Sequence, residues 1–263
     1  MSKKRRTVSL IVFIGAVLIL LAAIIAVPSA KDSSETIQSV MRDSVLHEER
    51  KINFFGMAVN PGLVSAFTVT GVFLVFALFV RLFVIPKFKL VPGKFQLVLE
   101  QAVGLFDSLA KTSSPKMNNF LGAYIFTAGA YIFVGTLFEL TGVQGVTVSG
   151  KPIDLPAPLS DINGAITMGC LSYLIIMSGG FIRNGFKGIG KTLKDFSLPI
   201  SMSFRLFGAL LSGALVTELV YYYTALNFVL PVIVGVLFTL MHALIQAYVL
   251  TMLTALFYGE VSE

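Results

Sequence analysis

The chain has 263 residues, of which 56% are hydrophobic and only 13% charged, with a mean hydropathy of +0.85. That is far more apolar than a soluble domain of ordinary make-up and reads as a polytopic membrane protein, while the one cysteine, Cys170, excludes a disulfide framework and a cysteine-held metal cluster. The net charge of +6 would invite a nucleic-acid partner only if the basic residues formed one exposed face, and their positions along the chain place them otherwise.

Apolar windows long enough to cross about 30 Å of hydrocarbon occur at 8–27, 62–85, 118–140 and 164–182, giving four ordinary transmembrane helices. The first follows MSKKRR and precedes AVPSAKDSS, whose small residues have the look of a signal-peptidase site. Its apolar run is longer than a usual signal core and Pro28 is poorly placed for cleavage after Ala30, so residues 1–30 read as a retained anchor in preference to a cleaved signal. Both readings put residues 31–60 outside.

Between the second and third windows, residues 92–113 predict an amphipathic helix. Phe95, Val98, Leu99, Ala102, Leu105, Phe106 and Leu109 recur at helical spacing, with Lys94, Glu100, Gln101 and Asp107 elsewhere around it. Such a helix lies along the interface, the alternative being a helix packed on the soluble part of a partner. The last hydrophobic region, 196–258, is too long for one span and is broken near Asn227 and Pro231, so it predicts a long, tilted helical hairpin. The whole is a single all-α membrane domain over 1–263, without internal repeats.

With the N-terminus inside, fourteen lysines and arginines from Lys3 to Lys194 fall on the cytoplasmic side, and only Lys31, Arg42, Arg50, Lys51 and Lys151 fall outside. This is the positive-inside pattern, with both termini cytoplasmic. Orientation accounts for the basic balance, and no nucleic acid is implied.

One charge does not fit that account. Arg205 sits in SFRLFGALLSGALVTELV, residues 203–220, and no lysine or arginine follows it. An arginine stays protonated, so at membrane depth it either snorkels to the surface or faces a partner or water. On a helix it shares a face with Ala209, Ser212, Gly213 and Val216, and small residues of this kind let a second helix approach closely. In the last helix, His242, Gln246 and Val249 share a face that a hairpin turns toward Arg205. Gln246 can hold a guanidinium, and His242 offers a titratable imidazole unless it is only a packing residue.

These stretches resemble subunit a of the F-type ATP synthase. SMSFRLFGALLSG is similar to the family's arginine motif, ALIQAYVLTMLTALFYGE to its last helix, VPGKFQ to its first cytoplasmic loop and LPAPLSDINGAI to the segment leading into the fourth span. The matches run in the family's order from about residue 60 onward. The resemblance implies a non-catalytic subunit beside a rotating ring of c subunits. Two aqueous half-channels bring ions to and from a carboxylate on each c helix, and Arg205 is the essential arginine between them. It implies the c-ring, the b subunits of the peripheral stalk and the lipid bilayer as partners, no cofactor and no metal. With the basic, signal-like start, it points to a bacterial inner membrane, an organelle membrane being the alternative.

Residue by residue, Gln246 matches the glutamine that faces the arginine, Glu139 an acidic position at the outer end of the third span, and Asp161 and Asn163 the polar pair before the fourth. The last three are implied linings of the outer half-channel; Asp161 reads equally as a helix cap, and Glu139 as a solvated interfacial residue. Ala209, Ser212 and Gly213 are the implied c-ring packing face. The sequence departs from the family where polar residues are usual, at Ala209, Ala214 and Thr239. His242 and Glu218, each about one turn from a vacated position, are the candidates to replace the missing pair. The departures leave proton and sodium both open. A secondary transporter or permease is the alternative of another class, but it would show repeated halves; a membrane enzyme would need a nucleophile, metal or acid–base cluster that this spacing does not offer.

Overall fold

The computed structural model describes residues 51–54, 56–113, 118–148, 150, 152–222 and 230–262, together with Gly15, Gln38 and Arg42. The predicted first span, 8–27, lies outside the described residues apart from Gly15. Among the described residues six helices follow in chain order: α1 Pro61–Phe79, α2 Lys94–Ser113, α3 Asn118–Phe138, α4 Ile162–Leu193, α5 Ser197–Tyr222 and α6 Leu230–Ser262. All except α2 are long and apolar enough to cross a membrane. The architecture is therefore the all-α, polytopic one that the apolar windows predict. The break of the hairpin near Asn227 lies outside the described residues.

Local chemistry sets the helix ends. The Asn60 side chain accepts a hydrogen bond from the Gly62 N–H at 3.2 Å, and Pro61 occupies a first-turn position where its missing N–H costs nothing. The same helical path runs on through a π segment, Val80–Val84, and a 3-10 turn, Ile85–Lys87. Residues of α1 are exposed along most of its length, as suits a helix that is apolar all round and lies against lipid. Before α2, the Gln96 side chain takes the Lys89 N–H at 3.1 Å, returns a bond to the Lys89 carbonyl at 2.9 Å and reaches Glu100 at 2.7 Å. One glutamine thus ties the VPGKFQ loop into a fixed turn.

The amphipathic helix α2 packs on this chain's own α3 and α6. Phe106 lies over Gly129 so closely that a β-carbon there would have no room, and Ala110 is fully buried. Phe95, Val98, Ala102 and Leu105 stay exposed, so only one edge of the predicted apolar stripe is used in packing. Asp107 and Lys111 pair at 2.6 Å across one turn.

Helices α3 to α6 enclose the core, with Ile125, Ile132, Ile176, Leu206, Leu250 and Tyr258 in one cluster. Where they cross, glycine admits the neighbour: Gly169 meets Pro199 and Ser203 of α5, and Gly179 meets the Tyr258 ring of α6. The predicted fourth span, 164–182, extends further than expected. Gly185, at φ 57° and ψ −141°, turns the chain back, and residues up to Leu193 pack against the preceding turns, with Gly188 on Gly180. At the opposite end of the bundle, two antiparallel hairpins form a small cap. They are β1 Ile52–Phe54 with β2 Met57–Val59, and β3 Gln144–Val146 with β4 Pro152–Asp154, joined by a bridge between Ile52 and Thr147.

Candidate functional site

Arg205 lies in α5 on the side turned away from the bundle. Met202, Ser203, Leu206 and Leu210 are buried, while Ser201, Arg205, Gly208 and Ser212 form an exposed row. Ser203 donates to the Pro199 carbonyl and faces α4, and two residues later the helix has turned about 200°, which carries Arg205 outward. Among the described residues, no hydrogen bond or salt bridge to its guanidinium is found. The open row is turned by about one position from the face predicted from spacing, with Gly208 in place of Ala209. Ser212 is on it, but Ala209 is half-covered and the bare α-carbon of Gly213 lies under the His242 ring, whose Nδ1 would be 3.6 Å from a β-carbon at that position. His242 is half-buried and lies 6.0 Å from the Phe238 ring, centroid to centroid.

Gln246 lies one turn further along α6 and is only 6% exposed. Its Oε1 is buried without a hydrogen-bond partner. Leaving such an acceptor unpaired costs about 1–3 kcal/mol, which a packing role alone does not repay. The structure does not join Gln246 to Arg205; the glutamine points into the bundle and the arginine out of it. Glu218 falls in the last turns of α5, beyond Gly213.

Asp161 and Asn163 line a cavity of about 470 Å³ between α1, α3 and α4. Asp161 stands at its cap end, 8% exposed, where Oδ1 accepts from the Asn163 backbone N–H at 3.0 Å and side-chain Nδ2 at 3.3 Å. It is thus the N-cap of α4, as one of its two readings had it, and it also lines the cavity with Asn163. A β-carbon on Gly62 would come within 2.8 Å of the Asp161 Cβ, so the first turn of α1 presses directly on this carboxylate. Glu139 is half-buried in the 3-10 turn that ends α3 and is not among the cavity-lining residues.

The lining continues down α4 to Leu171, about 15 Å from the cap and about half the hydrocarbon thickness. There the Tyr124 hydroxyl, itself in the lining, shares a 2.7 Å hydrogen bond with Ser172. Because Gly169 meets Pro199 and Ser203, this inner end lies near the depth of Arg205, on the other side of the α4–α5 packing. Sequence reasoning missed Gly62, Tyr124 and Ser172, since these residues meet only after α1, α3 and α4 have packed. The one available signal was the Asn60-Pro61-Gly62 start of the second window.

Among the described residues, no group of histidine, cysteine and carboxylate side chains could hold a metal ion. Five helices long and apolar enough to span a membrane, an exposed arginine without a partner among the described residues and a carboxylate-capped cavity thus stand together in one bundle. Residues 65–259 match the ATP synthase A chain family, and this protein belongs to that family.

Proposed function

We propose that the chain is the ion-conducting stator subunit of a rotary ATP synthase and that Arg205 separates its two half-channels. The observation that carries this reading is the exposed, unpaired Arg205 on an apolar face of a spanning helix. A charge there needs an opposite charge or water, and the small residues Gly208 and Ser212 beside it admit a closely approaching helix. A carboxylate on a passing c helix meets that need once per step.

At about 4 Å and an effective dielectric near 20, the attraction is on the order of 4 kcal/mol, part of which desolvation removes. It favours the ionised carboxylate, so a loaded site gives up its ion on reaching the arginine. The fixed charge also bars ions from passing directly between half-channels. The cavity capped by Asp161 and Asn163 is the outer half-channel in this reading, with Glu139 near its approach. His242, seated over Gly213 next to the vacated Ala214, and Glu218 replace the polar pair that the family carries at Ala214 and Thr239. Of the residues expected on the c-ring face, Ser212 and the half-covered Ala209 belong to it, with Gly208 added, while Gly213 stands back under His242. The subunit performs no chemistry on nucleotide, holds to the peripheral stalk through b subunits and lies in a bacterial inner membrane with both termini in the cytoplasm. Its ion is a proton or sodium.

Cysteine cross-linking tests the ring-facing surface. Gly208→Cys and Ser212→Cys should each form a disulfide with single cysteines on the c helix, whereas Gly213→Cys, under His242, should not. Cross-linking of Gly213→Cys alone would place the ring on another face.

A further inference from the structure

The reversal at Gly185 builds a basic corner at one end of the bundle. The Tyr173 hydroxyl donates to the Thr192 carbonyl at 3.0 Å, Thr192 is buried, and Gly188 lies on the Gly180 backbone, so the returning segment is fixed in place. Arg183, Lys187, Lys191 and Lys194 are all exposed along it; among the described residues the nearby acids are Asp195 and Glu260. Beside the bases lie exposed apolar side chains. Phe186 is 84% exposed, Ile182 and Phe181 are also open, and the Phe181 and Phe186 rings meet edge to face at 5.8 Å. The corner also holds the end of α6, since Lys191 Nζ donates to the Glu260 carbonyl at 2.9 Å and Asn184 Nδ2 to the Val261 carbonyl at 3.4 Å.

Depth decides what can occupy it. At about 1.5 Å of rise per residue, the leg from Ile162 to Asn184 is about 34 Å long, just beyond the hydrocarbon thickness of about 30 Å. With Gly188 on Gly180, Lys187 stands level with Phe181, so the bases and the exposed apolar side chains share one level at the end of a span-length leg. Aromatic rings beside bases at a span's end match the two halves of an anionic phospholipid.

We propose that the α4 reversal is a seat for an anionic phospholipid. Arg183 and Lys187 take its phosphate, and Phe181, Ile182 and Phe186 take its chains. Because Lys191 and Asn184 tie the same corner to α6, an occupied seat steadies the helix that carries His242 and Gln246. Assignment to the inner leaflet rests on the orientation proposed above, whereas the binding itself does not.

Native mass spectrometry of the assembled complex, exchanged into mixtures of phosphatidylglycerol and phosphatidylcholine, reads the seat directly. Wild type should retain phosphatidylglycerol preferentially. Arg183→Gln with Lys187→Gln should lower that preference about thirtyfold, or about 2 kcal/mol for two bases, while Lys89→Gln with Lys94→Gln at the same end leaves it unchanged. Equal losses from both pairs, or none from the first, would overturn the proposal. If the first variant fails to assemble, a photoactivatable phosphatidylglycerol in the unmodified complex decides: labels on peptides covering 181–194 support the seat, and labels only elsewhere refute it. Lipid occupancy is read without ion flux, so failure here leaves the role of Arg205 untouched.

Discussion

Asp161 illustrates how one side chain can carry two roles that mutation separates. It caps α4 through Oδ1 and it lines the cavity. Asparagine caps a helix about as well as aspartate, while alanine does not. Asp161→Asn should therefore keep the stability of the complex and lower ion flux, whereas Asp161→Ala should also lose about 1 kcal/mol. Wild-type flux from Asp161→Asn, measured as ATP-driven pumping alongside thermal unfolding, would reduce Asp161 to a cap. Gln246 should behave in the opposite sense. Gln246→Leu removes a buried acceptor that has no partner, so stability should rise by about 1 kcal/mol while pumping falls. A variant that is both more stable and fully active would show that Gln246 takes no part in ion transfer. The relocation of the polar pair has its own test: neutral replacement of both His242 and Glu218 should abolish ion transport, and intact transport would dismiss the idea. At this scale Arg205, Gln246 and Asp161 were legible, because a polar group in an apolar run is informative wherever it stands. The orphaned Oε1 was not, since hydrogen-bond partners depend on packing.

Among the elements, α4 shows where reading from sequence stops. Hydropathy locates its start and its apolar length, but the glycines from Gly179 to Gly190 look alike, and nothing in their spacing singles out Gly185 for positive φ. Only the folded backbone distinguishes a position that turns the chain from positions that admit a neighbour. Gly185→Ala should cost about 1–3 kcal/mol, read as a lower unfolding temperature of the complex, because φ 57° with ψ −141° is costly for a residue with a β-carbon. Gly190→Ala, with open space around it, should change little by comparison. Equal effects would mean that backbone conformation at the reversal is unimportant. Helix α2 marks a second limit. Periodicity identified its apolar side, yet it could not tell that Phe106 and Ala110 would dock on α3 while Phe95 and Val98 stayed open. A hydrophobic stripe reports that something must cover it, and leaves the choice among lipid, partner and own chain to the fold.

At the scale of the whole molecule, the proposed function makes the site half of a machine. Its cavity stops near the depth of Arg205, the arginine faces out of the bundle, and Gln246 faces in, so the described residues outline no continuous path between them. A transporter with a complete internal route would enclose its charged residue, whereas a subunit that works against a moving partner must display it. The order of motifs made the family legible because each motif places a costly residue at a fixed depth. The most direct measurement is ATP-driven ion pumping in inverted vesicles that contain the assembled complex, comparing wild type with Arg205→Ala in sodium-free and sodium-containing buffer. Coupled transport should fall at least about a hundredfold while the complex still assembles, as loss of roughly 3 kcal/mol of ion-pair stabilisation would give, and the sodium dependence of the wild type identifies the ion. A variant that assembles and pumps at the wild-type rate would make Arg205 a surface residue and contradict the account.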